Sequence, residues 1–418
     1  MPEFERGSGE RPALSRLVGA DTARVFGATY WSRQPFLAAA VSNASFDDLF
    51  SSAAVDELVR ERGIRTPFMR MAVEGSVLSP STYTAPGGFG AEVADQVNSE
   101  KVLAEFAAGA TIVLQGLHRT WPPLIDFTRR LVDDLGHPAQ VNAYVTPASS
   151  RGFDPHYDVH DVFVLQISGE KHWRIHAPVH PHPLRDQPWS DYREQVAAQA
   201  AGEPVIDTVL RPGDVLYLPR GWIHSAEALG GTSVHLTIGV AAYTQADIAH
   251  SLLTVIADTP ALRESLPLGV DFGDTEQLLP IVAEVLAGLQ GALQIPDARA
   301  AAVRQASAVG ADLSHRLSGA SRPEPVSPLA TVDFIGTLNE ASTVRWRGSL
   351  RAAITTGPES VRIALAGRSV VLPQEAQPAV EMLHAGQAVA VGELPGLDPA
   401  SAIVVVRRLL REGIVVPA

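Results

Sequence analysis

The sequence predicts an α+β protein whose centre is an antiparallel β sandwich or barrel. Between residues 141 and 243, short runs rich in β-branched and aromatic residues alternate with turn signals such as SGE, RPGD and PRG. Many short strands at close spacing are typical of antiparallel sandwiches and barrels. The flanking segments carry helical patterns, for example EKVLAEFAAG and EQLLPIVAEVLAGLQGAL. We therefore expect a β core with helical segments before and after it.

The length predicts more than one domain, because 418 residues exceed what a single hydrophobic core usually holds. The segments EAQPAVEMLHAG, SAIVVVRRLLREG and IVVP read as helix, helix and strand, which is typical of a winged-helix module. The expected organisation is a loose N-terminus (1–15), a first domain (16–245) with its β core at about 141–243, a helical domain (246–325) and a winged-helix-like domain (331–418).

Composition excludes several classes of protein. No apolar run reaches the ~18 residues of a membrane helix, and the N-terminus lacks the apolar stretch of a signal peptide. We therefore expect a cytoplasmic protein without a membrane partner. The chain has no cysteine, which excludes disulfides, thiolate metal sites and cysteine nucleophiles. Any metal must be bound by histidine or carboxylate side chains.

The net charge of −13 argues against a chain built to coat nucleic acid, since phosphate binding needs lysine and arginine. It fits a cationic protein or peptide partner, and it equally fits a role in solubility. Residues 331–418 contain eight arginines and eight acids, whereas a DNA-binding winged helix is expected to be basic. Direct DNA binding is therefore not expected.

The main functional signal is a set of candidate metal ligands. Eight of the 13 histidines lie between residues 156 and 235. On a strand, alternate side chains share a face, so His156 and Asp158 are expected to point the same way. His224 follows the PRGW turn and opens a later strand, which makes it the expected third ligand. Two histidines and one carboxylate on one face of a metal leave three open positions, as in non-haem Fe(II) oxygenases.

Two further residues qualify this metal site. His160 shares the predicted strand face and is the main rival ligand, but it should lie ~6–7 Å beyond Asp158. Lys171 begins a strand after the SGE turn and is one of only two lysines among 33 basic residues. A compact ammonium suits the distal carboxylate of a chelating 2-oxo acid in an enclosed pocket. The alternative is a surface lysine paired with Glu170 or Asp161.

Three segments carry a resemblance to a known family: GATIVLQGLH, NAYVTPASSRGFDPHYDVHDVFVLQISGEKHWRIH and EPVIDTVLRPGDVLYLPRGWIHSAEA. Over about residues 15–245 the chain resembles the JmjC family, specifically its ribosomal oxygenase branch, the cupin-4-like proteins. The resemblance implies a double-stranded β-helix (jelly-roll) core in a JmjC catalytic domain at 16–245. It also implies that the helical segment is a dimerisation domain, and hence a homodimer.

The same resemblance implies roles for individual residues. His156, Asp158 and His224 match the family's Fe(II) ligands, and Lys171 matches the residue that pairs with the distal carboxylate of 2-oxoglutarate. The other matches to the cosubstrate pocket are Tyr144, Thr237, Asn142 and His235. Tyr144, Thr237 and Asn142 could equally be ordinary strand residues, and His235 a core histidine.

The implied activity is an Fe(II)- and 2-oxoglutarate-dependent oxygenase that uses O2 to hydroxylate a protein side chain. By resemblance, the substrate is a histidine or arginine of a ribosomal protein. Three alternatives stay open from the residues alone. The same chemistry could act on a peptide natural product, a small molecule or a methyl-lysine. The chain could be a non-catalytic metal-binding interaction protein, or a DNA-binding regulator that uses its C-terminal unit.

Overall fold

The computed structural model describes residues 11–40, 45–73, 75–90, 92–148, 154–257, 259–293 and 298–418. It divides into two compact units, Met1–Ala242 and Tyr243–Ala418. The first described helix begins at Pro12, inside the segment expected to be loose; residues 1–10 lie outside the described part. Among the described residues, no helix combines the length and the apolar character needed to cross a membrane.

The first unit combines seven described α-helices with a nine-stranded antiparallel sheet and a two-stranded one. Its helices are α1 (Pro12–Val18), α2 (Ala20–Thr29), α3 (Ser52–Glu61), α4 (Ser99–Ala107), α5 (Leu117–Thr120), α6 (Pro122–Leu135) and α7 (Arg193–Ala200). Its strands are β1 (Phe36–Ala38), β2 (Met69–Val73), β3 (Ser76–Val77), β4 (Thr84–Ala85), β5 (Gln96–Val97), β6 (Thr111–Leu114), β7 (Ala139–Thr146), β8 (Asp161–His176), β9 (Ile206–Leu210), β10 (Val215–Leu218) and β11 (Ile223–Val240).

The large sheet has the order β1-β10-β8-β11-β7-β6-β2-β3, with β9 paired to β8. Every pairing in it is antiparallel. The predicted α+β class with an antiparallel core is therefore confirmed, and TIVL forms the buried strand β6 as expected. The sheet is wider than the sequence indicated, because β1, β2 and β3 come from a region whose patterns favoured helices.

The two faces of this sheet have different tasks, as the alternation of side chains along a strand requires. One face packs against α1, α2, α3 and α6 in a large apolar core that includes Leu14, Phe26, Leu131, Met71 and Leu236. The other face carries a smaller apolar cluster together with polar side chains; Val162, Val164, Trp173 and Leu218 belong to that cluster. This second face lines the candidate site.

A bulge in the β8–β11 ladder occurs between Leu229 and Val234. Opposite it, Gly169 has φ of +66°, and a Cβ at this position would lie 2.2 Å from the Thr232 carbonyl oxygen. Only glycine fits, because the conformation is left-handed and the backbone approaches closely.

We expect Gly169→Ala to destabilise the protein by ~3 kcal/mol, since it combines left-handed strain with a backbone clash. Gly230→Ala is the matched control, because φ is +71° there but no atom lies within 4 Å of the added Cβ. The control should cost only ~1 kcal/mol. Urea unfolding followed by tryptophan fluorescence measures the free energy of unfolding of both variants. An equal loss of stability in the two variants would contradict the role of the backbone clash.

The second unit contains helices and two small antiparallel sheets. Its helices are α8 (Gln245–Ile256), α9 (Thr275–Leu293), α10 (Ala298–Ala320), α11 (Pro328–Gly336), α12 (Gln377–His384) and α13 (Pro399–Arg411). Its strands are β12 (Thr343–Trp346), β13 (Ala353–Thr356), β14 (Ser360–Leu365), β15 (Arg368–Pro373), β16 (Val389–Ala390) and β17 (Val415–Pro417). The sheets have the orders β16-β12-β17 and β13-β14-β15.

Helices α12 and α13 and strand β17 are the elements expected of a winged-helix-like domain. The β13–β15 meander was not predicted from the sequence. Its strands share one apolar core with α12 and α13, in which Val361, Ile363, Val370, Val380 and Val406 are buried. The boundaries assigned to the helical and C-terminal domains stay predictions.

Candidate active site

Three predicted metal ligands meet at one point of the first unit. One ligand atom from each of His156, Asp158 and His224 lies within 4.8 Å of the others. His224 Nε2 is 3.7 Å from the Asp158 carboxylate, and the two imidazole centroids are 4.5 Å apart. Within the described part of the chain, no other group of three or more histidines and acids is arranged in this way.

The backbone fixes this meeting point. His156 and His224 form an isolated antiparallel bridge, with N–O distances of 3.2 and 2.8 Å, and the N–H of Gly221 donates to the Asp158 carbonyl at 3.0 Å. The expectation that His156 and Asp158 lie on a regular strand was wrong, because β8 begins only at Asp161. The two residues instead lie in the segment that leads into β8, where Pro155 has no N–H for a ladder.

Both histidines are held in the tautomer that a metal requires. The Nδ1 of His156 is 2.7 Å from the carbonyl of Asp154, and the Nδ1 of His224 is 3.1 Å from that of Trp222. A carbonyl only accepts hydrogen bonds, so each Nδ1 must carry the proton and each Nε2 the lone pair. This is the usual way in which a ligating imidazole is oriented by a partner on its other nitrogen.

The electrostatics of the three groups agree with metal binding. Burial would raise the pKa of Asp158, but the nearby His160, His224 and His156 together hold it below its ordinary value. Burial, followed by the neighbouring His156, lowers the pKa of His224 to about 4. At neutral pH the site therefore offers one carboxylate anion and a neutral His224, the forms in which these side chains bind metals.

A buried ion pair anchors the turn that carries His224. Asp161 is fully buried and accepts the backbone N–H of Arg220 at 3.0 Å, and its carboxylate is 3.5 Å from the guanidinium. Arg220 also donates to the hydroxyl of Ser32 at 3.1 Å. From the sequence, Asp161 was considered only as an alternative partner for Lys171. The pairing of Asp161 with Arg220 could not be read from the sequence, because the two residues are 59 positions apart.

His160, the rival ligand, is turned to a different neighbour. A Cβ on Gly239 would lie 3.2 Å from its ring, so the imidazole packs directly over a glycine of β11. His160 remains close enough to Asp158 to affect its pKa, but it does not belong to the three-residue group.

The three ligand candidates open onto a cavity of about 260 Å³. Its walls come from residues on both sides of the bulge in β8 and β11, and from β2, β6, β7 and β10. The lining residues are Arg70, Thr111, Tyr144, Thr146, His156, Asp158, Val162, Val164, Lys171, Trp173, Leu218, His224, Ser225, Ala226, His235 and Thr237. The cavity thus contains two cationic side chains and one carboxylate.

Lys171 lies in the wall of this cavity and is only 3% exposed. Its Nζ donates to Thr146 Oγ1 at 3.0 Å, and burial lowers its pKa to about 7. Pairing with Glu170 or Asp161, the alternative considered from the sequence, is absent: Glu170 lies 3.3 Å from Arg211, and Asp161 pairs with Arg220. A buried amine without a carboxylate partner is costly, which is a mark of a functional site.

Three of the four other predicted pocket residues line the same cavity, namely Tyr144, Thr237 and His235. The rings of Tyr144 and His235 are stacked, with centroids 5.1 Å apart and planes 4° from parallel. Burial and then the Asp158 carboxylate raise the pKa of Tyr144, while the positive charge of Arg70 acts in the opposite direction. Burial, and then Lys171, lower the pKa of His235 well below its ordinary value.

The structure does not bring Asn142 into the cavity lining. Its Oδ1 accepts the backbone N–H of Gly116 at 3.1 Å, which holds the end of β6 against β7. Thr146 and Arg70 are among the lining residues that were not singled out from the sequence. Thr146 could have been found by alternation, since it lies two residues after Tyr144 on the same strand face. Arg70 carried no signal, because its strand was not predicted.

Comparison with known proteins agrees with this geometry. Residues 124–248 match the family model of the JmjC domain. The chain is 32% identical over 212 residues to ribosomal oxygenase 1 of Homo sapiens, which covers 50% of this chain and 31% of that protein. It is 28% identical over 271 residues to the bifunctional lysine-specific demethylase and histidyl-hydroxylase NO66 of Drosophila persimilis, covering 62% of this chain and 36% of that protein.

This chain therefore spans about a third of the length of the curated relatives it matches. Among solved structures, the ribosomal oxygenase YcfD of Escherichia coli matches 94% of this chain and 98% of its own, at 17% identity and a TM-score of 0.50. At that identity the likeness concerns the fold alone. Residues 124–248 are thus similar in sequence to the JmjC domain, and the chain has a fold like that of the ribosomal oxygenase YcfD.

Proposed function

We propose that this chain is an Fe(II)- and 2-oxoglutarate-dependent oxygenase that hydroxylates a side chain of a protein substrate. The observation that carries the proposal is the placement of two imidazole Nε2 atoms and one carboxylate around one point of a cavity that also contains a buried lysine. One small molecule in this cavity can therefore contact both a bound metal ion and the ammonium group of Lys171.

The donor set fits Fe(II). Two imidazoles and one carboxylate form the facial arrangement of non-haem iron oxygenases, and the absence of cysteine removes the softer ligands that favour other metals. His156 and His224 would bind through Nε2, and Asp158 through a carboxylate oxygen. Their positions are fixed by backbone hydrogen bonds, so the site needs little rearrangement to accept the ion.

The cavity fits 2-oxoglutarate as cosubstrate. Lys171 and Thr146 supply donors for its distal carboxylate, while its 2-oxo acid end would reach the metal. The apolar side chains Val162, Val164 and Leu218 in the same wall suit the methylene groups between these ends and keep bulk water away from the reacting atoms.

When bound, Fe(II) and 2-oxoglutarate would supply the reduction of O2, with one oxygen atom entering the substrate C–H bond and the other entering succinate as CO2 leaves. The residues of this chain have simpler tasks. His156, Asp158 and His224 hold the metal, Lys171 orients the cosubstrate, and Trp173 and His235 fix the cavity wall. Such chemistry depends mainly on positioning.

A ribosomal protein is the proposed substrate, with histidine or arginine as the hydroxylated residue. The support is the naming of the curated relatives as ribosomal oxygenases and histidyl-hydroxylases. The net charge of −13 also suits a basic partner, because opposite charge accelerates encounter.

The test is turnover of 2-oxoglutarate with purified large-subunit ribosomal proteins, followed by peptide mass spectrometry. We expect a mass increase of about 16 on one peptide, as one oxygen atom is inserted, and no increase with His224→Ala. If no ribosomal protein is modified while another peptide is, the ribosomal assignment fails and the oxygenase assignment stands.

Demethylation of a methyl-lysine is the second candidate, since some curated relatives are also named lysine-specific demethylases. Hydroxylation of an N-methyl group releases formaldehyde, so a mass decrease of about 14 on methylated peptides would favour this activity. A non-catalytic role would be supported if the purified protein fails to bind Fe(II) or Mn(II).

The cosubstrate site should depend on pH through Lys171. Its folded pKa of about 7 lies below its unfolded value, so the charged form is lost as pH rises through 7. We expect the affinity for 2-oxoglutarate to fall about tenfold between pH 6 and pH 8. The neighbouring His235 and Tyr144 stay uncharged over this range, because their pKa values are shifted away from it.

Calorimetric titration of the Mn(II)-loaded protein with 2-oxoglutarate measures this dependence. Lys171→Arg is the control, since a guanidinium stays charged and should give a flat profile. A wild-type affinity that does not change with pH would show that the lysine charge is not used.

We also propose a homodimer formed through the helical segment. The support is an exposed apolar stripe on α9, where Leu279, Val282 and Leu286 are each more than half exposed at the i, i+3, i+7 spacing of one helix face. Light scattering of the wild type and Leu286→Glu tests this, and a monomeric wild type would contradict it.

A further inference from the structure

The connection between β8 and β9, residues 177–205, lies beside the candidate metal ligands but contributes none of them. It contains α7 and a short 3-10 helix at Trp189–Tyr192. The rings of Trp189 and His156 have centroids 6.2 Å apart, whereas the cavity is lined by residues of other segments. A segment that lies so close to the ligands without lining the cavity is in a position to support them from behind.

An apolar cluster joins this connection to both ligand-bearing segments. Tyr157 stands between the first two ligands in the chain, and Ile223 directly precedes the third. Both pack with Val196 of α7 in one cluster, in which each is at most 1% exposed. Because His156 and His224 are bridged partners, they face one side, and the residues next to them face the other. The packing of this cluster thus directs the ligand side chains away from α7.

A hydrogen bond ties the ligand segment to the same connection. The hydroxyl of Tyr157 donates to the carbonyl oxygen of Gln187 at 3.1 Å. The side-chain oxygen of Gln187 accepts the backbone N–H of Leu184 at 2.8 Å, and the backbone N–H of Gln187 donates to the Leu184 carbonyl at 3.0 Å. The Nε2 of His180 is 3.1 Å from the same side-chain oxygen. The acceptor for Tyr157 is therefore held in a turn that its own hydrogen bonds close.

The connection also contacts the turn that carries His224. Gly221 has φ of +87°, and a Cβ at this position would lie 2.8 Å from the His180 carbonyl oxygen and 2.8 Å from Pro183 Cδ. Only glycine allows the two backbones to approach in this way. Gly221 also donates its N–H to the Asp158 carbonyl at 3.0 Å. The connection, the turn and the ligand segment therefore meet at one residue.

We propose that this connection supports the metal centre, and that Tyr157 and Val196 are positioning residues for the three ligands. The inference rests on the metal binding of the proposed function. Two of the ligands lie before β8, where no regular ladder fixes them, so their spacing depends on the side chains packed behind them. Ligands that are held in place before the ion arrives bind it more tightly, because binding does not have to order them.

Titration of the full-length protein with Mn(II), followed by electron paramagnetic resonance, tests the role of Val196. The matched control is Val102→Ala, which removes the same two methyl groups from α4 in the large apolar core. Val102 is 3% exposed and Val196 1%, so both variants should lower the melting temperature by a similar ~3 °C. Only Val196→Ala should raise the Mn(II) Kd, about tenfold. Equal Kd values in the two variants would overturn the proposal.

Substitutions of Tyr157 give a second, independent measurement. Tyr157→Ala removes the ring and the hydrogen bond to Gln187, and it should raise the Mn(II) Kd about tenfold or more. Tyr157→Phe keeps the ring in the cluster and should bind Mn(II) within about threefold of the wild type. The visible absorption of the Co(II)-loaded protein reports the ligand geometry; it should change in Tyr157→Ala and return in Tyr157→Phe.

A lower melting temperature with an unchanged Kd and an unchanged Co(II) spectrum in Tyr157→Ala would show a purely structural role and overturn the proposal. If Tyr157→Ala does not fold, the comparison of Val196→Ala with Val102→Ala decides.

The wild-type titration separates this inference from the proposed function. If the wild type does not bind Mn(II), the metal site is wrong and the inference fails with it. If the wild type binds Mn(II) and His224→Ala does not, while Val196→Ala and Tyr157→Ala bind as the wild type does, the metal site stands and the inference alone is wrong.

Discussion

Replacing His224 by alanine should lower the affinity for Mn(II) about 100-fold or more, equivalent to ~2.7 kcal/mol or more of binding free energy, and abolish turnover. The variant keeps His156 and Asp158 but leaves two ligands, and these lie on the segment before β8 rather than within a ladder. His224 is the buried member of the set, at 8% exposure, and belongs to a long central strand. It is therefore the candidate ligand that the fold holds most firmly.

Two histidine variants control this experiment. His172→Ala removes an imidazole from the opposite face of β8, where it pairs with Asp207, and should leave metal binding unchanged. His160→Ala is more informative, because His160 lies near Asp158 without joining the ligand group. A loss as large as that of His224→Ala would make His160 a ligand and the assigned triad incorrect. Mn(II) titration by electron paramagnetic resonance gives all three affinities.

Replacing Lys171 by methionine should raise the Kd for 2-oxoglutarate about 100-fold or more, because a buried charge-assisted contact to a carboxylate is lost. The same substitution should make the ligand-free protein more stable than the wild type. Burial lowers the pKa of Lys171 to about 7, so folding disfavours the charged form of this side chain. The resulting loss of folding stability is complete below pH 7, where the lysine is charged in both states. It becomes smaller as the pH rises towards the pKa of the unfolded chain. A rise in melting temperature of roughly 5 °C at pH 7 is expected.

The only other lysine of the chain provides a matched control. Lys101 donates to the carbonyls of Ser81 and Thr84 and does not line the cavity. Lys101→Met should leave the 2-oxoglutarate affinity unchanged and should not stabilise the protein. If Lys171→Met binds 2-oxoglutarate normally, the carboxylate lies elsewhere in the cavity, and the assignment of Lys171 is wrong.

The three candidate metal ligands were named from the sequence, whereas the local structure expected for two of them was wrong. The strand geometry predicted for His156 and Asp158 was replaced by a bridge to His224. The identities nevertheless agree with the structure, since the motif and its order along the chain do not depend on regular strand structure. Lys171 was found by its rarity, and its burial now explains why a pairing with Glu170 was the wrong alternative.

Asn142 and Arg70 show the limits of such reasoning. Asn142 has the residue type of a pocket donor, yet its side chain binds the backbone of Gly116. Arg70 had no motif and lay in a region whose patterns favoured helices. Its place in the cavity wall follows from the pairing of β2 with β6, and pairing partners distant in sequence cannot be read from local periodicity.

The sequence by itself determined the α+β class, the central antiparallel strands, the three metal-ligand candidates and the cavity lysine, because these depend on residue type, alternation and spacing along the chain. Tertiary structure decided which groups share one cavity. Thr146 became the partner of Lys171, and Arg220 the partner of Asp161, only through contacts between segments that are distant in the sequence. The physical reason is that hydrogen-bond direction and burial are properties of packed neighbours, which a linear pattern does not contain.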